Sequence, residues 1–166
     1  MKAIVAVDEK WGIGKKNGLL FDLPADMAYF REKTLNKVVV MGSNTLKSFP
    51  GGKPLKKRVN VVLYPGGEKR DDCFIVGDMA ELKAELAKYD ADDIFIIGGA
   101  MFYKTMLPYC DEVLVTKVKA DGGAEVFYEN LDEKENWRKT YESDPVITNG
   151  YEIRFTVYKN ALPEKF

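Results

Sequence analysis

Residues Trp11–Arg31 read WGIGKKNGLLFDLPADMAYFR, a loop punctuated by glycines that leads into a helix. Pro24 suits the first helical turn, where its missing N–H has no intrahelical partner, and Asp26 then falls near the positive end of the helix. Met27 and Phe30 follow Asp26 at spacings of one and four, which predicts an amphipathic helix with Asp26 at the edge of its apolar stripe. Asp26 is either an ordinary first-turn acid or a carboxylate at the rim of an apolar cavity, placed to bind a cationic ring or to transfer a proton.

The length and composition predict one soluble globular domain over residues 1–166. A chain of 166 residues can bury one substantial core. Hydrophobic residues make up 46% of the chain and its formal net charge is -1, so the basic excess of a nucleic-acid-binding protein is missing. We therefore expect no nucleic-acid partner. We also expect a monomer.

The cysteine and histidine content excludes several kinds of site. Cys73 and Cys110 are far apart and form no CxxC pair, which indicates neither a disulfide framework nor a thiolate metal site. The sequence contains no histidine. This excludes Ser-His-Asp and Cys-His catalysis and every imidazole metal ligand, and no metal site is predicted.

The first residues give an expectation about location. Met1-Lys2 leads directly into AIVAV, a run that is shorter than the apolar core of a signal peptide and is followed by acidic residues. No later apolar run approaches the length of a membrane span. A cytoplasmic protein without a membrane partner is expected.

Apolar runs that alternate with helical patterns predict an α/β fold. The runs predict strands at Ala3–Val7, Val38–Met41, Val59–Tyr64, Cys73–Val76, Ile94–Ile97 and Val113–Val118. The helical patterns begin at Pro24, at Ser43 (through Phe49), at residue 79 (through 89, with Asp78 as N-cap) and at residue 100 (through 107). A final antiparallel hairpin is predicted from Trp137–Glu142 and Tyr151–Tyr158, around Asp144-Pro145 and Asn149-Gly150. The predicted fold is a single domain with a mainly parallel central sheet, an antiparallel C-terminal edge and helices on both faces.

Glycines mark the first loop and two strand ends. Three of them allow the loop positive φ and movement, as in an active-site lid or a simple surface turn: Gly12, Gly14 and Gly18. Gly42 precedes Ser43-Asn44-Thr45, and Gly98-Gly99 precedes another helix. Such places hold phosphate in open α/β sheets, although helix capping or ordinary packing explains them equally well. Together with Asp26 they suggest a cleft at the carboxyl edge of the sheet for a phosphate-bearing cofactor beside a flat heterocycle.

A basic segment, PGGKPLKKR, occupies residues 50–58 and contains four cations: Lys53, Lys56, Lys57 and Arg58. Such a cluster usually forms a solvated surface. The alternative is an anion clamp, and only Arg58 has the planar fork that grips a carboxylate with two hydrogen bonds.

Four motifs, GIGKKNG, LPADMAYF, VVVMGSNT and IIGGAMFY, follow one another along the chain. In order and spacing they resemble dihydrofolate reductases of the bacterial type, and they cover nearly the whole chain. The resemblance implies reduction of 7,8-dihydrofolate to 5,6,7,8-tetrahydrofolate, a step of one-carbon metabolism. Hydride would pass from NADPH to the pterin while a proton reaches the adjacent ring nitrogen.

The resemblance also implies roles for individual residues. Asp26 would bind the amino-pyrimidine edge of the pterin through two hydrogen bonds and favour protonation of the ring, with support from Thr116. The catalytic positions are Leu19, Phe21 and Asp26. The substrate would be bound by Val5, Met27, Phe30, Phe49, Leu55, Ile97, Thr116 and Arg58, the last of these on its glutamate carboxylate. The cofactor positions are Ala6, Ile13, Gly14, Gly42, Ser43, Asn44, Thr45, Leu63, Tyr64, Gly98, Gly99, Ala100, Met101, Phe102 and Tyr103.

The chain departs from the family pattern in three places. Leu20-Phe21 replaces the usual Pro-Trp, so there is no indole N–H to hold an active-site water. GGAEVFY replaces the usual acidic Gly-Asp loop. Where the family places cations around the 2′-phosphate of NADPH, this chain has the uncharged Ser43-Asn44, Tyr64-Pro65-Gly66 and Ala100-Met101. Either a neighbouring cation reaches the phosphate, from Lys47, Lys69 or Arg70, or NADPH is used with weaker discrimination against NADH.

Two other functions stay open beside this one. The related pyrimidinone reductase of riboflavin synthesis shares the fold and the nicotinamide chemistry, but LPADM together with Arg58 argues against it. A non-catalytic pterin- or nucleotide-binding module would also keep the cleft. The presence of Asp26, Thr116 and the paired glycines disfavours that alternative.

Overall fold

The computed structural model describes residues 1–15 and 18–166. Its α-helices are α1 (Pro24–Thr34), α2 (Ser43–Ser48), α3 (Met79–Leu86) and α4 (Ala100–Met106). Its strands are β1 (Lys2–Val7), β2 (Gly12–Gly14), β3 (Val38–Gly42), β4 (Val59–Leu63), β5 (Phe74–Val76), β6 (Ile94–Gly98), β7 (Glu112–Val118), β8 (Val126–Phe127), β9 (Trp137–Glu142), β10 (Val146–Thr148) and β11 (Tyr151–Asn160). The predicted glycine loop includes Lys16 and Asn17, which lie outside the described residues. Among the residues that are described, no helix combines the length and the apolar character needed to cross a membrane.

The large sheet has the strand order β10-β11-β7-β1-β6-β3-β4-β5, with β9 also paired to β11. The six strands from β7 to β5 in this order are parallel to their neighbours, whereas β9, β10 and β11 form antiparallel pairs. The predicted parallel sheet with an antiparallel C-terminal edge is therefore confirmed. Parallel strands present their carboxyl ends at one edge, and this edge is where ligands bind in such sheets.

Successive residues of the central strands face different helices. Val40 packs in a cluster with Leu82 of α3 and Phe102 of α4. Its neighbour Val39 packs in a separate cluster with Leu46 of α2. The prediction of helices on both faces is confirmed, and burial on both faces explains why these strands are continuous apolar runs.

The first helix begins at Pro24 as predicted, but the prediction of its apolar stripe is wrong. Phe30 is half-buried and packs with Tyr29 against the sheet, whereas 65% of the Met27 surface is exposed. At 100° per residue, Asp26 lies between Tyr29 and Phe30 on the side that faces the sheet, and Met27 falls past the edge of that side. The carboxylate therefore lies within the buried side of α1.

The C-terminal edge contains three strands, whereas two are predicted. β10 and β11 are joined by Asn149-Gly150, both at positive φ (50° and 81°), as a type I′ hairpin turn requires. β11 also pairs with β9 and with β7. The extra strand, β10, has three residues, which are too few for a period-two alternation to be visible in the sequence.

The helix starts confirm one prediction and correct another. Asp78 caps α3 by accepting a hydrogen bond from Glu81 N at 2.8 Å. At α2 the N-cap residue is Gly42 and no side chain caps the helix. Ser43, Asn44 and Thr45 already lie inside the first turn, past the position from which a side chain can cap, and Phe49 lies outside the last turn.

Candidate active site

Asp26 and Thr116 meet at the carboxyl edge of the sheet. Thr116, on β7, is 1% exposed, and its hydroxyl donates to Asp26 Oδ1 at 2.6 Å. The start of α1 is fixed by two backbone donors, because Asp26 N donates to Leu23 O at 3.0 Å and Ala25 N donates to Thr148 Oγ1 at 3.1 Å. The acid is thereby held against two strands that lie far away in the sequence.

The environment of Asp26 shifts the pKa of its carboxyl. Burial raises the pKa of the Asp26 carboxyl, and the hydrogen bond from Thr116 opposes this with a smaller effect. In the described part of the chain, Thr116 is the side chain that donates to this carboxylate. A half-buried carboxyl with a raised pKa is suited to proton transfer or to binding a cationic ring, so the geometry favours a functional acid over an ordinary first-turn residue.

The paired glycines lie beside Thr45 at the same edge. Gly98 ends β6 with φ of 135°, and the Gly98–Gly99 peptide bond is cis. A Cβ added at Gly98 would lie 3.1 Å from Thr45 Oγ1, which is tighter than an ordinary contact, so a larger residue here would require Thr45 to shift. Tyr103, in α4, is buried, and its hydroxyl donates to Ile4 O at 2.7 Å. These contacts bring the strand end, the glycine pair and Thr45 into one wall.

The other positions predicted to bind the cofactor lie at strand ends and helix starts. Ala6 pairs with Thr116 in the β1–β7 register, and Met41 pairs with Gly98 between β3 and β6. The remaining positions are Ile13 and Gly14 in β2, Gly42 at the end of β3, Ser43 and Asn44 in α2, Leu63 at the end of β4, Tyr64 after it, and Ala100, Met101 and Phe102 in α4. Phe102 is buried in the core, so a contact from this residue to a cofactor would have to come from its backbone.

Comparison with known proteins gives one family. The family model of dihydrofolate reductase matches residues 1–160. The dihydrofolate reductase of Haemophilus influenzae is 33% identical over 158 residues, which cover 95% of this chain and 87% of that protein. The chain belongs to the dihydrofolate reductase family. A dihydrofolate reductase of Bacillus subtilis is 29% identical over 165 residues, covering 98% of this chain and 95% of that protein.

A solved structure supports the same assignment. The dihydrofolate reductase from Enterococcus faecalis, complexed with NADP(H) and RAB-propyl, superposes with a TM-score of 0.83 at 27% sequence identity. The match covers 96% of this chain and 95% of that chain. The fold predicted from the sequence is therefore that of dihydrofolate reductase.

Asn60 organises the loop segment that contains Arg58. This asparagine is 4% exposed; it donates to Leu55 O at 2.9 Å and to Arg58 O at 3.1 Å, and it accepts from Leu55 N at 3.0 Å. Arg58 Nε donates to Thr34 Oγ1 at 3.2 Å, and the guanidinium carbon lies 6.0 Å from the centre of the Phe30 ring. The sequence analysis did not single out Asn60, and the signal for it is a polar residue inside an apolar strand.

The charge of Arg58 is not neutralised within the described residues. No salt bridge joins its guanidinium to a carboxylate there. Burial lowers the pKa of Arg58, and the nearby Arg31 guanidinium lowers it further. A half-buried guanidinium beside a second cation is a place where an anion is stabilised.

The predicted substrate-lining residues divide between the two faces of the sheet. Phe49, Leu55 and Ile97 are half-buried in the cluster on the α2 side. Ile97 also packs near Phe30 on the α1 side. Val5 packs in the opposite cluster, with α3 and α4, so a substrate contact from Val5 would have to come from its backbone.

The segment before α1 contacts the loop after β7. Leu19 is 83% exposed, whereas the Phe21 ring packs on Tyr151 with ring centres 4.9 Å apart. A Cβ added at Gly122 would lie 2.9 Å from Phe21 Cζ and 3.0 Å from Leu20 Cβ. Leu19 and Phe21 carry no side-chain hydrogen-bond donor, so a catalytic contribution from either would come from its shape or from its backbone.

Asp8 joins two loops, although the sequence analysis treated this region only as a strand end. It is 3% exposed; Oδ1 accepts from Lys10 N at 2.9 Å and from Gly12 N at 2.7 Å, while Oδ2 accepts from Gly122 N at 3.0 Å. The carboxylate therefore closes the turn that leads into β2 and ties it to the loop after β7. The sequence signal is an aspartate directly after a strand, because an aspartate side chain can accept from the backbone N–H two residues on in an Asx turn, as it does here from Lys10.

The Asp8→Asn variant is expected to lose the bond between the loops and keep the local turn. Asparagine can still accept from Lys10 and Gly12 through Oδ1, but its amide would face the N–H of Gly122, so two donors would oppose each other. We expect the free energy of unfolding to fall by about 1–3 kcal/mol, as for the loss of a charge-assisted hydrogen bond. Urea denaturation measures this change, and amide hydrogen exchange at Gly122 should become faster.

The matched control is Asp121→Asn. Asp121 is a neighbouring acid that forms an exposed ion pair with Lys10, and such a pair contributes little to stability. Unchanged exchange at Gly122 in Asp8→Asn, or an equal loss of stability in both variants, would contradict a specific link between the loops.

Proposed function

We propose that this chain reduces 7,8-dihydrofolate to 5,6,7,8-tetrahydrofolate with NADPH, as an oxidoreductase of tetrahydrofolate biosynthesis. The observation that carries the proposal is the 2.6 Å hydrogen bond that fixes the half-buried Asp26 to Thr116. Membership of the dihydrofolate reductase family supports the reaction, and the Enterococcus faecalis relative, whose structure holds NADP(H), supports the cofactor.

Asp26 has the central role in this reaction. Its two oxygens accept hydrogen bonds from the amino-pyrimidine edge of the pterin, and Thr116 fixes the direction of Oδ1. The negative charge stabilises the protonated pterin ring more than the neutral ring, and this preference is strong because the carboxylate is half-buried. Protonation makes the pterin ring more electrophilic, so it accepts hydride more readily.

The surface formed by Thr45 and the glycine pair would hold the cofactor. NADPH supplies the hydride. At Gly98 a side chain would fill the space next to Thr45 Oγ1, and the absence of side chains allows a phosphate-bearing group to approach backbone N–H groups. The hydroxyl of Thr45 would add a donor, while the backbone of Ala6 and Ile13 would hold the carboxamide of the nicotinamide.

One absorbance assay tests the proposal. Oxidation of NADPH is followed with dihydrofolate, with the pyrimidinone substrate of riboflavin synthesis and with no second substrate. Of these three reactions, only the one with dihydrofolate is expected to oxidise NADPH. Turnover with the pyrimidinone alone would favour the related reductase, and ligand binding without turnover of either substrate would favour a non-catalytic module.

Few cations are placed to bind the 2′-phosphate, the group that distinguishes NADPH from NADH. Lys69 Nζ donates to Ile75 O at 2.6 Å, and Arg70 donates to both oxygens of Asp72 at 2.8 and 2.7 Å. Both side chains therefore already have partners. Lys47 is exposed and its Nζ lies 4.8 Å from the centre of the Tyr64 ring, which makes it the best placed of the three cations considered for the 2′-phosphate.

We expect kcat/KM to favour NADPH less strongly than in relatives such as the Bacillus subtilis enzyme. An exposed lysine gives a weak contact that salt screens, so the preference should fade at high ionic strength. Lys47→Gln is expected to lower kcat/KM for NADPH by up to about fivefold and to leave NADH unaffected, whereas the remote control Lys83→Gln should change neither. A strong preference that survives high salt would show that other groups form a phosphate clamp.

Four finer expectations belong to the same proposal. We propose that residues 1–166 act as one dihydrofolate-reductase-like domain, that the protein is a monomer in the cytoplasm, and that it has no nucleic-acid partner. Sedimentation of the purified protein at several concentrations tests the monomer, since a second copy would raise the apparent mass with concentration.

A further inference from the structure

The first turn of α1 is not capped by its own N-cap residue. That residue is Leu23, whose side chain cannot accept a hydrogen bond, and Pro24 follows it without an N–H group. The N–H groups of Asp26 and Met27 both donate to Leu23 O at 3.0 Å. These bonds leave Ala25 N as the donor of the first turn that needs a partner from elsewhere, because an unpaired buried donor at the start of a helix is costly.

A hairpin far away in the sequence supplies the partner of Ala25. Thr148, the last residue of β10, accepts from Ala25 N through Oγ1 at 3.1 Å, across 123 positions of the chain. Side chains alternate along β10, where Ile147 is 70% exposed and Thr148 is 7% exposed. The inward-facing hydroxyl of a strand therefore takes the place of the Ser or Thr side chain that usually caps a helix.

The sheet fixes the position of Thr148. This residue pairs with Tyr151 across the turn between β10 and β11. β11 is paired in turn with β7, the strand that contains Thr116. Two successive residues of α1, Ala25 and Asp26, are thus each bonded to a threonine of one sheet, the first through its backbone and the second through its carboxylate.

We propose that Thr148 is a positioning residue for Asp26: by capping Ala25 N, its hydroxyl holds the Asp26 carboxylate where Thr116 donates to it. This inference rests on the proposed function, in which the charge of Asp26 stabilises the protonated pterin. The bond from Thr148 reaches the backbone of α1, one residue before the acid. Because a misplacement of about 1 Å can cost about 100-fold in rate, loss of this cap should affect hydride transfer as well as stability.

The first test is Thr148→Val, which keeps the β-branched shape and removes the acceptor. Amide hydrogen exchange at Ala25 should become faster, because its N–H loses its partner. Hydride transfer from NADPH to dihydrofolate at neutral pH, followed by stopped-flow absorbance, should slow by about tenfold. Thr148→Ser keeps an acceptor at the same position, so it should restore the rate of hydride transfer to within about twofold of the wild type.

Two further comparisons separate positioning from stability. Tyr89→Phe also removes one hydroxyl hydrogen bond, from Tyr89 to Glu85 Oε2 at 2.9 Å, but Tyr89 packs on the face of the sheet opposite α1. This control should leave hydride transfer unchanged. In an Asp26→Asn background, Thr148→Val should slow hydride transfer by less than about twofold, because the charge that Thr148 positions is no longer present. A general loosening of the fold would slow both backgrounds equally.

Several results would overturn the inference. These are unchanged hydride transfer in Thr148→Val despite faster exchange at Ala25, an equal slowing with and without Asp26→Asn, or no recovery in Thr148→Ser. If Thr148→Val does not fold, Thr148→Cys replaces it, since sulfur is a weaker acceptor. A smaller slowing is then expected, and an unchanged rate in Thr148→Cys would equally overturn the inference.

Failure of the proposed function is a separate result, because it appears as absence of dihydrofolate turnover in the wild type. A measurement without turnover then decides the role of Thr148. The carboxyl carbon of Asp26, observed by carbon NMR, should change its chemical shift in Thr148→Val and recover it in Thr148→Ser, because its bond to Thr116 depends on the cap. An unchanged chemical shift in Thr148→Val would show that Thr148 stabilises the start of α1 without positioning the acid.

Discussion

In the Asp26→Asn variant, turnover of dihydrofolate at neutral pH is expected to fall by about 100- to 10,000-fold, the usual contribution of a positioned acid–base group. The amide can still accept the hydrogen bond that Thr116 donates to Oδ1 at 2.6 Å. It cannot supply the negative charge that favours the protonated pterin. The loss should be smaller at acidic pH, where solvent protonates more of the substrate. The measurement is the hydride-transfer rate across pH, by stopped-flow absorbance.

The same substitution should not destabilise the fold at neutral pH. Burial raises the pKa of Asp26, so the folded protein holds this proton more tightly than the unfolded chain does. The contribution of Asp26 to stability therefore falls as the pH rises from the pKa of the unfolded chain to the pKa of the folded protein. Above both pKa values this contribution is lower than it is at acidic pH. Asparagine has no charge to desolvate. We expect the Tm of Asp26→Asn at pH 7 to be no lower than that of the wild type. At low pH the Tm of the wild type should rise relative to that of the variant.

The control for Asp26 is Asp22→Asn, which removes an exposed carboxylate from the same segment and should leave both turnover and Tm unchanged. Near-wild-type turnover of Asp26→Asn at pH 7 would contradict the assignment of Asp26. A large drop in Tm in that variant would show instead that the loss of activity comes from a damaged fold.

The parts of the fold that the sequence predicts are those with strong local patterns. Val38–Met41 and Ile94–Ile97 are runs of apolar residues buried on both faces, and the strands lie where these runs predict them. β2, β8 and β10 have two or three residues each, and their pairing is decided by tertiary contacts. The prediction of the apolar stripe of α1 is wrong for a related reason, because the side of the helix that faces the sheet includes Asp26.

The candidate site shows the same division between local and distant information. The local pattern leaves Asp26 as either an ordinary first-turn acid or a functional carboxylate until the family resemblance is added, and Thr116 is found only through that resemblance. No spacing rule connects these two residues, which are 90 positions apart in the sequence. Asp8 and Gly122 are also joined across a long stretch of sequence, of 114 positions. A sequence can show which residues are suited to a site, but the sheet order determines which of them meet.

The Arg58→Lys variant is expected to lose about 1–3 kcal/mol of binding free energy for dihydrofolate, as for a charge-assisted hydrogen bond, or roughly 5- to 150-fold in KM. Arg58 uses Nε on Thr34 Oγ1 and Nη1 on Lys56 O. Two of the five N–H groups of a guanidinium are therefore engaged, and three remain for a carboxylate. Lysine has three N–H groups in all and no planar fork, so it cannot keep these anchors and also grip a carboxylate with two parallel hydrogen bonds.

The ligand comparison shows where on the substrate Arg58 acts. A pterin without the glutamate tail should bind Arg58→Lys as tightly as it binds the wild type, whereas dihydrofolate should bind more weakly. The value of kcat at saturation should change little if Arg58 contacts the tail and not the reacting ring. Arg138→Lys, at an exposed position on β9, is the matched control and should affect neither ligand. Equal losses for the two ligands would place Arg58 outside the tail site. They would attribute its effect to the position of α1, which Arg58 contacts through Thr34 and the face of Phe30.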